Sequence, residues 1–181
     1  MTILSERLEL APLTPAFLRA SLARNVEEAE RVSQLSLPAG WPDCDDVLSL
    51  RLRQLEADPS LQPWLLRAMV LRGSRVMIGH IGFHAAPGAA YLQSYSPGAA
   101  EFGFEVFPSY RQQGYAREAS LALMKWAREA HGVHRFVLSI RPDNIPSQAL
   151  AAQLGFVRIG SHIDEVDGLE DILERVAPEF V

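Results

Sequence analysis

The chain has 181 residues, 48% of them hydrophobic and 22% charged, which excludes an intrinsically disordered polymer and suits about one domain with an ordinary buried core. Seventeen basic against 22 acidic residues leave a net charge of −5. So little basic excess argues against a nucleic-acid partner, and the single cysteine, Cys44, excludes an internal disulfide and a cysteine-rich zinc site.

Arg7-Leu8-Glu9-Leu10 alternates as a short strand that ends at Pro12. Thr14 and Pro15 open a helix as N-cap and first helical residue, and it runs to position 25. Pro38, Gly40 and Pro42 break the chain, Asp43 is placed to cap a helix over 47–58, and Pro59 closes it. Two apolar runs, 64–71 and 75–83, flank Gly73-Ser74 and predict a hairpin. Residues 101–107 alternate with period two, Phe102, Phe104 and Val106 on one face and Glu101, Gly103 and Glu105 on the other.

From Gly114 an amphipathic helix runs to Gly132, with Leu121, Met124 and Ala127 as its core stripe. A strand follows at 135–140, then a short helix at 147–154 that Gly155 ends. Runs 156–164 and 170–176 pair across Asp167-Gly168. Such mixed order predicts an α+β or mixed-sheet α/β fold, in a single domain over 1–181 because neither a repeat nor a linker interrupts it.

The junction Arg111-Gln112-Gln113-Gly114-Tyr115-Ala116-Arg117 sits between a strand and a helix N-terminus. Unpaired N–H groups and the helix dipole there suit an anion such as a pyrophosphate, while Gly114 permits close approach. It lacks the Lys-Ser/Thr of a P-loop and the further glycines of a dinucleotide loop, so taken alone it also reads as a plain turn before a helix.

Arg111-x-x-Gly114-x-Ala116 resembles the [Gln/Arg]-x-x-Gly-x-[Gly/Ala] motif of the GNAT superfamily of acetyl-CoA-dependent N-acetyltransferases. Glu101-Phe-Gly-Phe-Glu-Val-Phe-Pro, Asn144-Ile-Pro-Ser147 and Leu154-Gly155-Phe156 are similar to its RimJ/RimL-type branch, which acetylates protein N-termini among other amines. Glu6-Arg7-Leu8-Glu9-Leu10, Ile78-Gly79-His80-Ile81-Gly82 and Asp167-Gly168-Leu169-Glu170-Asp171 extend the likeness over nearly the whole chain. The order and spacing of the blocks are more specific than the short first motif.

The resemblance implies a mostly antiparallel central sheet with a splayed parallel strand pair, flanked by helices. It implies acetyl-CoA as cosubstrate, no metal, and a primary amine as acceptor. Gln112, Gln113, Gly114, Tyr115 and Ala116 would hold the pyrophosphate by their backbone amides, aided by Arg111 and Arg117. A backbone N–H near Val106 or Phe107 would polarise the thioester carbonyl. Asn144 would bond the pantetheine arm.

Attack requires a neutral amine, so a base or a water chain is needed. Glu101 is the first candidate, as base or ammonium anchor, against a solvated or arginine-paired carboxylate; for Glu105 that plainer reading leads. His80, on the neighbouring strand, ranks below Glu101 because a lone strand histidine is more often core, and His84 is weaker still. Many family members carry a general-acid tyrosine where this chain has Ala151; Ser147 is the nearest hydroxyl by motif, with helix N-capping as its competing role. Capping accounts for His131 and His134, Trp41 and Trp64 fill core or rim, and Cys44 receives no role.

Acceptors within the class are a protein N-terminus, an antibiotic, a polyamine or an amino acid. Residues 25–60 and 160–175 would form the acceptor side, and their carboxylates at Glu27, Glu28, Glu30, Asp43, Asp45, Asp46, Asp164, Glu165 and Asp167 suit a cation. The alternative class is a non-catalytic acyl-CoA-binding or regulatory module, to which Ala151 points. The opening residues lack a signal-peptide pattern and no apolar run reaches the roughly 18 residues that span a bilayer, so no membrane contact and a cytoplasmic location are expected. A homodimer through an edge strand or the long helix is left open.

Overall fold

The computed structural model describes residues 1–164 and 168–177. Its strands are β1 (Ile3–Leu4), β2 (Leu8–Pro12), β3 (Arg67–Leu71), β4 (Met77–Phe83), β5 (Ala100–Val106), β6 (Arg135–Ile140), β7 (Val157–Asp164) and β8 (Gly168–Val176). Its helices are α1 (Pro15–Leu22), α2 (Val26–Ser33), α3 (Asp45–Ala57), α4 (Tyr115–His131) and α5 (Ile145–Gln153). The strands follow the order β1-β2-β3-β4-β5-β6-β8-β7. Strands β1 to β4 pair antiparallel in succession, as do β6, β8 and β7, whereas β5 and β6 are parallel. The expected mixed, mostly antiparallel sheet with a parallel pair is present. That pair joins only Ala100 to Phe136 and Glu101 to Val137, although both strands run on.

By compactness the chain divides into two units, Met1–Gly82 with Phe104–Ala122, and Phe83–Gly103 with the chain from Leu123 onward. In the first, Thr14 caps α1 by accepting from the Phe17 N–H at 3.3 Å, and Phe17, Leu18, Leu35, Trp41, Leu48 and Leu65 form the core. Helix α2 is absent from the sequence reading because Ala29 is its only fully buried residue, too little to make a hydrophobic stripe. Its N-terminus is set by Asn25, whose side chain accepts from the Glu28 N–H. The expected Asp43 cap of α3 is not observed. The helix starts at Asp45 after Cys44, with no side-chain cap, and Asp45 pairs with Arg24 at 2.6 Å instead. Arg67 is fully buried on β3 and donates to the carbonyls of Met1, Leu10 and Pro63.

In the second unit β6 lies against β8, and β7 and β8 form the expected hairpin. Gly168 opens β8 at φ +78°; Asp167, its expected turn partner, lies outside the described residues, as does Glu165. Phe83, Phe102, Phe136 and Phe156 make an aromatic core, the Phe83 and Phe102 centroids 5.9 Å apart. Helix α4 buries Ala119, Leu123, Met124 and Ala127, so Leu123 replaces the expected Leu121, which is half-buried. Among the described residues no helix is long and apolar enough to cross a membrane.

Candidate active site

In the first unit, β5 ends at Val106, one tight turn follows over Pro108–Tyr110, and α4 begins at Tyr115. Gln112 (φ +60°) and Gly114 (φ +81°) turn the chain through the left-handed region. The first helical bond runs from the Glu118 N–H to the Gly114 carbonyl. Among the described residues nothing accepts from the backbone N–H groups of Gln112, Gln113, Gly114, Tyr115, Ala116 or Arg117. Together with the helix dipole, these donors fit an anionic pyrophosphate.

The loop is anchored from a distant segment that sequence reasoning gave no role. Arg7 donates from Nη1 to the Gln113 carbonyl at 3.0 Å, pairs through Nε with Glu118 at 2.6 Å, and lays its guanidinium 4.5 Å above the Tyr115 ring. Ser5 Oγ and the Arg7 N–H also donate to Glu118, each at 2.7 Å. Burial raises the Glu118 carboxyl, but these donors outweigh it and hold it below the usual range. The available signal was an Arg just before β2 and a Glu in the first turn of α4; their partnership is visible only in the fold.

Arg111 turns back on its own strand, donating to the Val106 carbonyl at 2.8 Å and lying 3.7 Å from Glu105. Arg117 is exposed. Of the two expected thioester donors, the Phe107 N–H is already engaged by the Ile78 carbonyl at 2.9 Å. Successive N–H groups point to opposite sides of a strand, so the Val106 N–H points away from β4. His80 is buried on β4, its ring edge-on to Trp41 and Phe107, with Nε2 3.4 Å from Glu105. That pairing, together with Arg111, holds the Glu105 carboxyl below its usual range against the opposing effect of burial. Burial and the nearby carboxylates push the Cys44 thiol up to about 12, so it is no nucleophile at neutral pH.

In the second unit Glu101 is 6% exposed. Its carboxylate accepts from Ser139 Oγ at 2.6 Å and lies 3.5 Å from His84 Nδ1. Burial alone would raise this carboxyl, but His84, Ser139 and Tyr91 outweigh it and bring it down to about 2. Glu101 is thus neither solvated nor paired with Arg111 or Arg117.

Asn144 is the N-cap of α5, its Oδ1 accepting from the Ser147 N–H at 3.3 Å. The capping role considered for Ser147 therefore belongs to Asn144, and Ser147 sits one turn inside the helix. Ala151 is fully buried and accepts from the Phe156 N–H. His131 packs edge-on to Trp126, with ring centroids 4.7 Å apart.

In the 160–175 segment expected on the acceptor side, ligand atoms of His162, Asp164 and Glu170 lie within 4.8 Å of one another on the β7–β8 hairpin. A surface depression is lined by Pro15, Arg19, Leu55, Glu56, Pro59 and Gln62, of which Leu55, Glu56 and Pro59 fall in the 25–60 segment expected on the acceptor side.

A family model described as the acetyltransferase (GNAT) domain matches residues 7–157. The uncharacterised N-acetyltransferase YnaD of Bacillus subtilis (strain 168) is 29% identical over 92 residues, 51% of this chain and 49% of that protein. The match thus spans about half the length of that curated relative. A GNAT-family acetyltransferase structure from Bacillus anthracis shares 20% identity at a TM-score of 0.63, covering 97% of this chain and 98% of that one. RimL, a ribosomal L7/L12 alpha-N-protein acetyltransferase solved with coenzyme A, shares 21% at 0.66, covering 98% of each. At these identities the two structures establish a shared fold.

Proposed function

The chain belongs to the acetyltransferase (GNAT) family, and on that premise we propose that it is an acetyl-CoA-dependent N-acetyltransferase acting on a primary amine, foremost a protein N-terminal amine. The family model takes in parts of both compact units, which supports one acetyltransferase domain. The carrying observation is the row of backbone N–H groups from Gln112 to Arg117 without acceptors among the described residues. The fold shared with RimL supports the RimJ/RimL-type branch and the N-terminal acceptor. The cytoplasm is the proposed place of action.

Bound acetyl-CoA supplies an activated acyl thioester. The chain's part is to hold and polarise it. The amides of residues 112–117 grip the diphosphate, and Arg7 keeps that loop in place by bonding the Gln113 carbonyl. The Val106 N–H serves as the fixed donor to the thioester carbonyl; such preorganised donors are often the largest catalytic contribution. The Asn144 amide nitrogen holds the pantetheine arm, while its oxygen caps α5. Ser147 is the candidate proton donor to the departing thiolate, and that thiolate also leaves without help because a free thiol titrates near 8.5.

Thermal unfolding with acetyl-CoA tests the grip. At 100 times the dissociation constant, bound ligand adds about 2.7 kcal/mol, which raises the midpoint by several degrees in a chain of this size. Gly114→Trp, at φ +81° and with Arg7 Nη2 3.4 Å from where a Cβ would stand, should abolish the shift. CoA release is then followed with Ser-, Ala- and Met-initiated peptides, spermidine and kanamycin. A shift without release on any of them would make the protein a binding module, and no shift at millimolar acetyl-CoA would end both readings.

A further inference from the structure

Resting on the acetyltransferase reading, we infer that His84 is the general base of the reaction and Glu101 its positioning residue, reversing the order in which the sequence ranks them. Every contact in the inference lies within the second compact unit. The His84 N–H donates to the Glu101 carbonyl at 2.9 Å, which sets the two residues opposite each other and fixes where the imidazole begins. The ring presents Nδ1 to the Glu101 carboxylate at 3.5 Å. Glu101 is buried and already receives Ser139 Oγ at 2.6 Å, with Tyr91 as a further donor. A carboxylate so supplied with donors is a poor proton acceptor at neutral pH. It is well suited to holding an imidazole in one tautomer.

A neutral imidazole that carries its proton on Nδ1 has its lone pair on Nε2. Nε2 faces Gly103, 3.0 Å from where a Cβ at that position would stand. A side chain there would press on the nitrogen, so the glycine makes room for it. The His84 side chain is 38% exposed, against 6% for Glu101, so of the two the imidazole is the more open to solvent.

In the reaction, His84 Nε2 removes a proton from the acceptor ammonium. The freed nitrogen lone pair forms the C–N bond to the acetyl carbon, the C–S bond breaks with CoA departing as thiolate, and the second nitrogen proton passes to that thiolate, directly or through water, as the amide forms. The imidazolium then returns its proton to solvent. Glu101 stays ionised throughout and balances the charge on the ring.

Two measurements test this. The first needs neither cosubstrate nor acceptor: two-bond 1H–15N spectra of 15N-histidine-labelled protein, with His84 assigned by its loss in His84→Gln. The expected pattern is the Nδ1-protonated tautomer in the wild type, weakened in Glu101→Gln. An Nε2-protonated ring, or one unchanged in Glu101→Gln, overturns the inference. The second follows CoA release with whichever of the peptides or amines above the wild type acetylates. His84→Gln should lose about a hundredfold or more in kcat with KM little changed, and should lose the acid limb of the pH profile. Gly103→Ala, which crowds Nε2 without touching the carboxylate, should lower kcat in the same direction. Wild-type turnover with an unaltered pH profile in His84→Gln overturns the base alone; no wild-type turnover on any probe overturns the acetyltransferase reading with it.

Discussion

Glu101 exchanges hydration for two hydroxyls and an imidazole, and its ionisation then depends on the fold. From an ordinary 4.5 its carboxyl falls to about 2, a difference of about 3 kcal/mol in favour of the folded, ionised state. Because the folded value is the lower one, this stabilisation is complete above about pH 4.5 and is lost as pH falls toward 2. Urea midpoints of wild type and Glu101→Gln should therefore differ down to about pH 5 and converge as the pH falls from there toward 2. A gap that persists undiminished at pH 3 would show that the charge is not what stabilises. Alternation put Glu101 on a strand face beside the cofactor that the family resemblance implies, and His80 followed as a histidine on the neighbouring strand. The carboxylate's donors were not legible. Ser139 lies 38 residues away in sequence, and His84 meets Glu101 only through the strand pairing that bonds their backbones.

Among the elements, the loop before α4 is the one whose conformation decides cosubstrate binding, and Arg7 and Glu118 hold it. Glu118 is only 16% exposed at its side chain and receives three donors, so the pair exceeds an ordinary surface ion pair. Arg7→Ala should weaken acetyl-CoA binding about tenfold by calorimetry, equivalent to about 1.4 kcal/mol. Arg7→Ala combined with Glu118→Gln should lose less than the two single changes summed, because both act on one contact. Equal affinity in Arg7→Ala would free the loop from this anchor. Strands and the long helix were legible because period-two and 3.6 patterns are strong there. Helix α2 escaped because Ala29 is its single fully buried residue, and the Asp43 cap failed because α3 starts two residues later, at Asp45 after Cys44.

Across the whole molecule, the division into two compact units falls inside β4, β5 and α4, between Gly82 and Phe83, Gly103 and Phe104, and Ala122 and Leu123. Neither unit is continuous in sequence, so neither can unfold without fraying elements that it shares with the other. One cooperative transition is expected by calorimetry, with calorimetric and van't Hoff enthalpies in agreement. Two resolved peaks would show units that fold independently. At this scale the family was legible from the order of the short motif blocks. The acceptor was not, because the acidic residues expected to meet it are partly spent within the chain: Glu28 on Arg31, Asp45 on Arg24, and Glu30 on the Leu37 N–H.

The contacts of Ser5 and Arg7 reach a loop more than a hundred residues later. Clipping by a protease just after residue 7 would slacken the hold on acetyl-CoA and would also take away β1 and the Met1 carbonyl that buried Arg67 uses. In titrations of nicked protein, affinity would fall together with the melting midpoint, because a buried donor left without its acceptor costs about 1–3 kcal/mol. A purification tag that strains residues 3–7 would have the same effect, so preparations alike in fold would differ in apparent potency according to how their first residues were handled.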